Sequence, residues 1–283
     1  MATLDIGGAA AQQAPCVLFM GDFNVGKSSL INALLRREAL FASREESRAL
    51  PTFVTRTDRA EAHFAAYLPE KGRVDEKGQD EFFDIRQDRN NEAGYILMGA
   101  RLPAIPFSNL VLIDTAGASS DACETIDVSH LATPDKAMLV VVTDIEYWAA
   151  RHTLDFVKSH LPVFGDSLVM VANKADHLNA SEIRRISEKA PNRLRAYGIE
   201  AVPRFFALSA RLEFARRTPR NEYRHRTRRE VRELCDASFD AFRVALYEFE
   251  AAHAPIDGAP TFRQLFDSPV ITSFLKTQGT AVA

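Results

Sequence analysis

The sequence has few cysteines, a single tryptophan and no long apolar stretch. Its three cysteines, Cys16, Cys123 and Cys235, are odd in number and far apart, which argues against a disulfide framework and favours a reduced, cytoplasmic chain. The apolar runs, such as Cys16–Met20, are much shorter than the ~20 residues that span a bilayer. Residues 1–14 lack the basic start and apolar centre of a secretory signal, so they are predicted to form a flexible lead.

The sequence also has no strong excess of positive or negative charge. Lysine and arginine number 35 against 38 acidic residues, which gives a formal net charge of −3 at pH 7. Nucleic acid or an anionic membrane would therefore have to bind at a local patch. Residues 69–91 carry both signs of charge and are predicted to form a solvated insertion. The arginine-rich segment 211–229 is predicted to be a second charged insertion, in the form of a solvated helix face or a mobile loop, with binding to the phosphates of lipid or RNA as the alternative.

Short apolar runs alternate with helical patterns along most of the chain. This alternation predicts an α/β fold, in which a mostly parallel sheet is covered by helices on both faces. Trp148 is predicted to pack within one of these helices, and His152 to be a surface residue. Strands are predicted at Cys16–Met20, 59–68, 95–102, 110–113, 137–143, 168–172 and 202–208. Helices are predicted at 27–37, 147–161 and 180–197, and an amphipathic helix is predicted to end near 252. The tail at 253–283 is predicted to contain a short helix at 261–275.

A glycine-containing loop joins the first predicted strand to the first predicted helix. In such a loop, consecutive backbone N–H groups and the helix N-terminus can cradle phosphates. Lys27 is placed to reach the β- and γ-phosphates, and the Ser28 hydroxyl to ligate Mg²⁺. The alternative is an ordinary turn, but the position between a strand and a helix favours a phosphate loop. The motif reads Gly21, Asp22, Phe23, Asn24, Val25, Gly26, Lys27, Ser28 and Ser29.

A second motif follows the predicted strand at 110–113 and consists of Asp114, Thr115, Ala116 and Gly117. A carboxylate at this strand end can hold Mg²⁺ through water, and the Gly117 N–H can sense the γ-phosphate. Alone, the pattern would be typical of a turn. After a phosphate loop, it predicts the second part of a nucleoside triphosphate site.

A third motif, after the predicted strand at 168–172, indicates which base is bound. Guanine presents two donors, N1–H and the 2-amino group, and the Asp176 carboxylate can accept both. Adenine lacks this pair and would leave the carboxylate unpaired, at a cost of ~1–3 kcal/mol. Lys174 can lay its aliphatic stem on the base, and Asn173 can brace the loop. The base site is completed by the residues after the predicted strand at 202–208, where a backbone N–H can meet the guanine carbonyl: Ser209, Ala210 and Arg211.

The phosphate loop and its helix resemble those of TRAFAC-class GTPases, and look most like bacterial dynamin-like proteins. The long interval between Lys27 and Asp114 is similar to that of dynamin-like GTPase domains, which carry insertions there. Residues 50–56 resemble the dynamin switch segment, and 102–114 resemble the run into its magnesium loop. The resemblance covers roughly residues 15–252 and implies an extended dynamin-type GTPase domain with the three-layer P-loop fold. Dynamin-like proteins also have a stalk of long helices, for which the 31 residues after 252 are expected to be too few.

By this resemblance, Thr55 is the switch threonine, whose hydroxyl completes the magnesium shell and whose carbonyl holds the attacking water. Thr52 and Thr57 are the alternatives, and β propensity alone could also place threonines at a strand. Together with Lys27 and Gly117, Thr55 would serve hydrolysis.

The sequence departs from familiar GTPases at three positions. Ala118 stands where a Ras-like enzyme has the glutamine that orients water. Asn24 stands where several cation-activated GTPases have asparagine, so K⁺ or Na⁺ near Asn24 is expected to do the work of an arginine finger. Phe23 replaces a polar residue of many dynamins, which leaves the catalytic efficiency open.

The resemblance implies an enzyme that hydrolyses GTP to GDP and phosphate with Mg²⁺, as a homodimer paired across the nucleotide face and linked to membrane remodelling. It also implies a cytoplasmic chain at the periphery of a membrane, with a membrane or a stalk-bearing protein as partner and no nucleic acid. Two alternatives share the guanine motifs: a nucleotide-gated binding module with little turnover, and an Era-type assembly GTPase.

Overall fold

The computed structural model describes residues 14–40, 50–68, 73–87, 97–115, 136–217 and 222–253. The predicted lead before residue 14, the tail after residue 253 and the short helix at 261–275 lie outside them. The strands are β1 Cys16–Met20, β2 Thr52–Arg56, β3 His63–Leu68, β4 Arg73–Lys77, β5 Leu97–Leu102, β6 Val111–Asp114, β7 Ala137–Asp144, β8 Leu168–Asn173 and β9 Arg204–Ala207. The α-helices are α1 Lys27–Leu35, α2 Gln79–Gln87, α3 Arg151–Phe164, α4 Ala180–Ala196, α5 Ala210–Arg217, α6 Glu222–Arg226 and α7 Arg229–Ala252.

The described strands form one nine-stranded sheet in the order β4-β3-β5-β2-β6-β1-β7-β8-β9. Five neighbouring strands, β6, β1, β7, β8 and β9, run parallel. On the other side of β6, β2 is antiparallel to it and parallel to β5, while β3 is antiparallel to both β5 and β4. The predicted α/β fold with a mostly parallel sheet is confirmed.

Both faces of the sheet are covered because its central strands are apolar on both sides. In β1, Leu18 packs in the cluster that includes Leu154 of α3 and Leu194 of α4. Its neighbour Phe19 points to the opposite face and packs in the cluster that includes α1 and α7. Helix α7 buries Phe242 on that face, and burying such a side chain contributes about 1.5–3 kcal/mol. The five parallel strands therefore form a rigid platform for the loops at their ends.

Several elements differ from the sequence-based prediction. Thr52–Arg56 forms a central strand, β2, that was not predicted, and β3 begins at His63, four residues later than predicted. Residues 145–149 form a turn, so α3 begins at Arg151. Trp148 lies in this turn, and its ring contacts that of Phe205 at 5.1 Å between centroids. Trp148 is thus a packing residue, but not within a helix.

The described part of the predicted insertion at 69–91, residues 73–87, forms β4, which extends the sheet, and α2. Within it, β4 pairs with β3, and α2 covers the neighbouring surface. The Phe82 side chain is fully buried, and its ring lies 4.8 Å from that of Phe64. The many charges of this segment do not predict a packed helix. A single buried aromatic side chain can nevertheless hold an otherwise polar helix in place.

The described residues of the arginine-rich segment form α5, α6 and the start of α7, and α5 packs against α7. Arg224 forms a bidentate ion pair with Asp236 of α7. Arg216 lies 3.3 Å from Glu213 and 3.4 Å from Asp240. These arginines are held by acids of the same chain, which reduces what they could offer to lipid or RNA phosphates. None of the described helices has the length and apolar character needed to cross a membrane.

Candidate functional site

The predicted motifs lie at one edge of the sheet. The phosphate loop follows β1, Asp114 ends β6, and the base motif follows β8, with Ser209 and Ala210 just after β9. Because these strands are parallel, their carboxyl ends meet at the same edge, which is where ligands bind in open α/β sheets. Gly117 and Ala118 lie outside the described residues.

The phosphate loop has a backbone that requires glycine at two positions. Gly21 has a φ of 151° and Gly26 a φ of 92°. A Cβ atom on Gly21 would lie 1.9 Å from the Val142 carbonyl oxygen, and one on Gly26 would lie 2.5 Å from Asn173 Nδ2. Any larger residue at either position would force the loop off the strand ends. Between them, Phe23 is half-buried and Asn24 is exposed with a left-handed φ of 59°.

Lys27 is folded back onto its own loop. Its ammonium group donates to the carbonyls of Gly21 at 2.8 Å and Asp22 at 2.9 Å. Burial lowers the pKa of Lys27, and the carboxylates of Asp114 and Asp22 oppose that shift. The ammonium group is thus held by neutral carbonyls that a phosphate could replace.

Ser28 and Asp114 are in direct contact, since the Ser28 hydroxyl donates to Asp114 Oδ2 at 2.6 Å. A hydroxyl and a carboxylate oxygen are the hard ligands that Mg²⁺ prefers, so this pair fits that ion. The described residues contain no group of three or more His, Cys, Asp or Glu side chains that could hold a metal ion. A protein site with so few ligands suits Mg²⁺, which keeps water and substrate phosphates in its shell.

Asn173 joins three of the loops. Its side chain donates from Nδ2 to the Val25 carbonyl at 2.9 Å and accepts at Oδ1 from the Ala210 N–H at 3.0 Å. The Ala210 N–H was one of the donors expected to meet the guanine carbonyl, and here it is used within the protein. The hydroxyl of the neighbouring Ser209 accepts from the Leu212 N–H at 3.1 Å and so starts helix α5.

The base motif contains two carboxylate contacts. The Lys174 ammonium group lies 2.9 Å from Asp144 Oδ2 at the end of β7. The Asp176 carboxylate accepts a hydrogen bond from the hydroxyl of Tyr223, which lies on α6. The guanidinium carbon of Arg211 lies 3.4 Å from the centre of the Tyr223 ring. Tyr223 was not anticipated from the sequence, because nothing near it in the chain points to Asp176.

The structure places Thr55 away from this edge, and its expected role as the switch threonine stays a prediction. Thr52 is the residue opposite Asp114 in the β2–β6 pairing. Thr55 lies three residues further along, about 10 Å away at ~3.4 Å per residue. Its hydroxyl is buried and donates to the Leu110 carbonyl at 3.3 Å. Thr57 follows the end of β2 and is farther still.

His152 is a second residue that sequence reasoning did not connect with the site. It was predicted to be a surface residue, and its side chain is indeed exposed. Its Nε2 lies 2.7 Å from Oδ2 of Asp22 in the phosphate loop. The two residues are far apart in the chain, so only the packing of α3 beside the loop reveals the pair.

Comparison with known proteins gives a consistent result. A family model described as the dynamin family matches residues 17–175. No curated protein sequence matches the chain significantly. A solved chain from an oligomerised bacterial dynamin pair, described as sensing and tethering membranes over long range, matches with 14% identity and a TM-score of 0.63, covering 95% of this chain and 41% of that one. A second chain from such a pair matches with 12% identity and a TM-score of 0.63, covering 96% of this chain and 49% of that one. These structural matches show a shared fold, and the chain spans less than half the length of either.

Proposed function

Because this chain belongs to the dynamin family, we propose that it binds GTP and hydrolyses it to GDP and phosphate. The observation that carries the proposal is the contact of 2.6 Å between Ser28 Oγ and Asp114 Oδ2, next to the buried Lys27. Residues from two sequence-distant motifs meet there, at the strand edge that also carries Asp176. A nucleoside triphosphate site needs one part that binds the phosphates and one that binds the base, and both would lie along this edge.

At the phosphate end, Lys27 would exchange the carbonyls of Gly21 and Asp22 for phosphate oxygens. The negative charge of the phosphates would raise its lowered pKa again and keep it charged. Ser28 Oγ and Asp114 would move apart to admit Mg²⁺, Asp114 acting through water. When bound, Mg²⁺ would neutralise charge on the β- and γ-phosphates. Gly117 would report the presence of the γ-phosphate.

At the base end, Asp176 would accept N1–H and the 2-amino group of guanine, with the Lys174 stem on the base. Arg211, directly after the Ser209-Ala210 pair, would lie against the base from the other side. Thr52 replaces Thr55 in the proposed switch role, because it is the threonine beside Asp114.

The partner proposed for this site is a second copy of the chain. The bacterial dynamins that share its fold are described as an oligomerised pair that tethers membranes. We propose that the exposed phosphate-loop rim around Asn24 faces the same region of a second copy, and that the protein acts at the periphery of a membrane. Tyr147, in the turn after β7, is a large side chain with 65% of its surface exposed, and would add apolar area to such a contact.

The specific activity of the purified chain is expected to rise with its concentration. Pairing across the nucleotide face would complete the site, so turnover per molecule should increase until the dimer dominates. Phosphate release measured over a wide range of protein concentrations tests this, with light scattering in GDP and in GDP plus fluoroaluminate to follow pairing. Tight GTP binding with negligible turnover at every concentration would instead identify a nucleotide-gated binding module.

Hydrolysis is expected to be faster in K⁺ than in choline salts, by on the order of tenfold or more, because a cation near Asn24 would offset charge that develops between the β- and γ-phosphates. Asn24→Ala should remove the difference while GDP binding is retained. Asn192→Ala, an exposed asparagine on α4, is the matched control and should keep the K⁺ effect. Equal rates in K⁺, Na⁺ and choline for the wild-type dimer would contradict this role.

A further inference from the structure

Tyr223 lies on α6 and reaches two residues of the proposed guanine site. Its hydroxyl donates to Asp176 Oδ2. Its ring lies against the guanidinium group of Arg211, with 3.4 Å from the guanidinium carbon to the ring centre. One side chain therefore engages both the carboxylate expected to choose the base and the cation expected to lie against it.

These two contacts have the chemistry that guanine itself would offer. Guanine brings an N–H donor to a carboxylate and a flat π face to a cation. The phenol of tyrosine brings an O–H donor and a flat ring in a similar arrangement. The proposed guanine contact uses both carboxylate oxygens of Asp176, so the base has to compete with Tyr223 for Oδ2.

We infer that Tyr223 is an internal occupant of the guanine subsite, which a guanine nucleotide displaces when it binds. This inference rests on the guanine binding proposed above, and it adds a residue that sets the affinity of that site. The nucleotide-free protein thus keeps Asp176 hydrogen-bonded, and part of the binding free energy of the base goes into releasing Tyr223.

The Tyr223 hydroxyl stays a donor across the physiological range. Its partial burial and its hydrogen bond to Asp176 raise the pKa of Tyr223 to about 12, although Arg211 acts in the opposite direction. A raised pKa means that the folded protein holds the phenolic proton more tightly than the unfolded chain does. The contact is therefore complete below pH ~10 and is lost as the pH rises toward 12, so competition with guanine should not vary between pH 6 and 9.

Release of Tyr223 would also affect α7, the last of the described helices. The next residue, Arg224, is ion-paired with Asp236 of α7. The Arg232 side chain of α7 donates to the Arg224 carbonyl at 3.0 Å. Movement of α6 would strain or break these contacts, which couples occupancy of the base subsite to the start of α7.

Tyr223→Phe is expected to bind GDP about tenfold more tightly than the wild type, because the ring remains but the hydrogen bond that competes with guanine is gone. Calorimetry or a fluorescent GDP analogue gives the dissociation constants. The matched control is Tyr197→Phe, which removes a comparable tyrosine–carboxylate hydrogen bond of 2.7 Å to Asp155, away from the strand edge. The control should bind GDP as the wild type does.

A second measurement follows the segment itself. Amide hydrogen exchange in residues 222–226 should speed up when GDP is added to the wild type, while exchange in the phosphate loop slows down. Slower exchange in 222–226, or GDP affinity that is unchanged or weaker in Tyr223→Phe while the wild type binds GDP, would overturn the inference and leave guanine binding intact. If neither protein binds GDP, the proposed function fails and this inference fails with it.

Discussion

Asp176→Asn is expected to weaken GDP binding by about 100-fold and to give the protein affinity for xanthosine diphosphate. The Asp176 carboxylate can accept two hydrogen bonds from guanine, whereas an amide offers one acceptor and sets its own N–H against the guanine amino group. Loss of a charged hydrogen bond and an unpaired donor cost about 2–3 kcal/mol together, and each 1.4 kcal/mol is tenfold. Xanthine has a carbonyl at the position of the amino group, so it can accept from the new amide.

Calorimetric titration of both proteins with GDP and with xanthosine diphosphate measures this exchange. Asp155→Asn is the matched control, since Asp155 also accepts a tyrosine hydroxyl, that of Tyr197. The control should retain the preference for GDP. An Asp176→Asn protein that binds GDP as tightly as the wild type would show that Asp176 does not read the base.

The parts of the fold that could be predicted from sequence are those that local patterns determine. The strands β1 and β8 are continuous apolar runs, and both were predicted to within one residue. Helix α4 has a regular apolar face and a capping box between Asn179 and Glu182, and its start was predicted correctly. The sheet determines the position of the loops at these strand ends. The motifs that contain Lys27 and Asp176 could therefore be predicted to lie at one edge.

Other parts depend on contacts between distant segments. Strand β2 contains Thr52, Thr55 and Arg56, so it does not look like a buried strand, yet both threonines are fully buried between β6 and β5. The backbone hydrogen bonds of β2 are made with neighbouring strands, and a local sequence pattern does not predict such pairing. The contact of Tyr223 with Asp176 likewise depends on how α6 packs beside the base loop.

The pairing of β2 also favours one threonine over the others for the proposed switch role. Side chains alternate between the two faces of a strand, so Thr52 and Val54 share one face, and Phe53 and Thr55 share the other. Val54 packs in the cluster that contains α1, whereas Phe53 packs in the cluster that contains α3 and α4. Thr52 is therefore on the face of the phosphate-loop helix and beside Asp114. Thr55 is on the other face and about 10 Å further along the strand.

Thr52→Val is expected to lower the rate of GTP hydrolysis at saturating GTP by about 100-fold, because it removes a hydroxyl proposed to complete the magnesium shell in the transition state. Thr55→Val removes a hydroxyl that donates to the Leu110 carbonyl at 3.3 Å inside the protein. It should cost about 1 kcal/mol of folding stability and leave turnover within about twofold. Thr52 Oγ1 also donates within the protein, to the Leu50 carbonyl at 2.9 Å. Valine keeps the branched shape of threonine, so each variant loses one internal hydrogen bond and the two differ in which hydroxyl is lost.

Turnover at saturating GTP and thermal unfolding of both variants separate the two roles. If Thr55→Val abolishes hydrolysis while Thr52→Val remains active and both proteins stay folded, the sequence-based assignment to Thr55 is right. In that case β2 would have to shift along β6 when GTP binds, since the pairing of Thr52 with Asp114 leaves Thr55 about 10 Å from the magnesium ligands. Such a shift would move every side chain of the strand past its neighbours, and an odd-numbered one would reverse its faces. The buried Val54 and Phe53 oppose that rearrangement, which is the physical reason for assigning the switch role to Thr52.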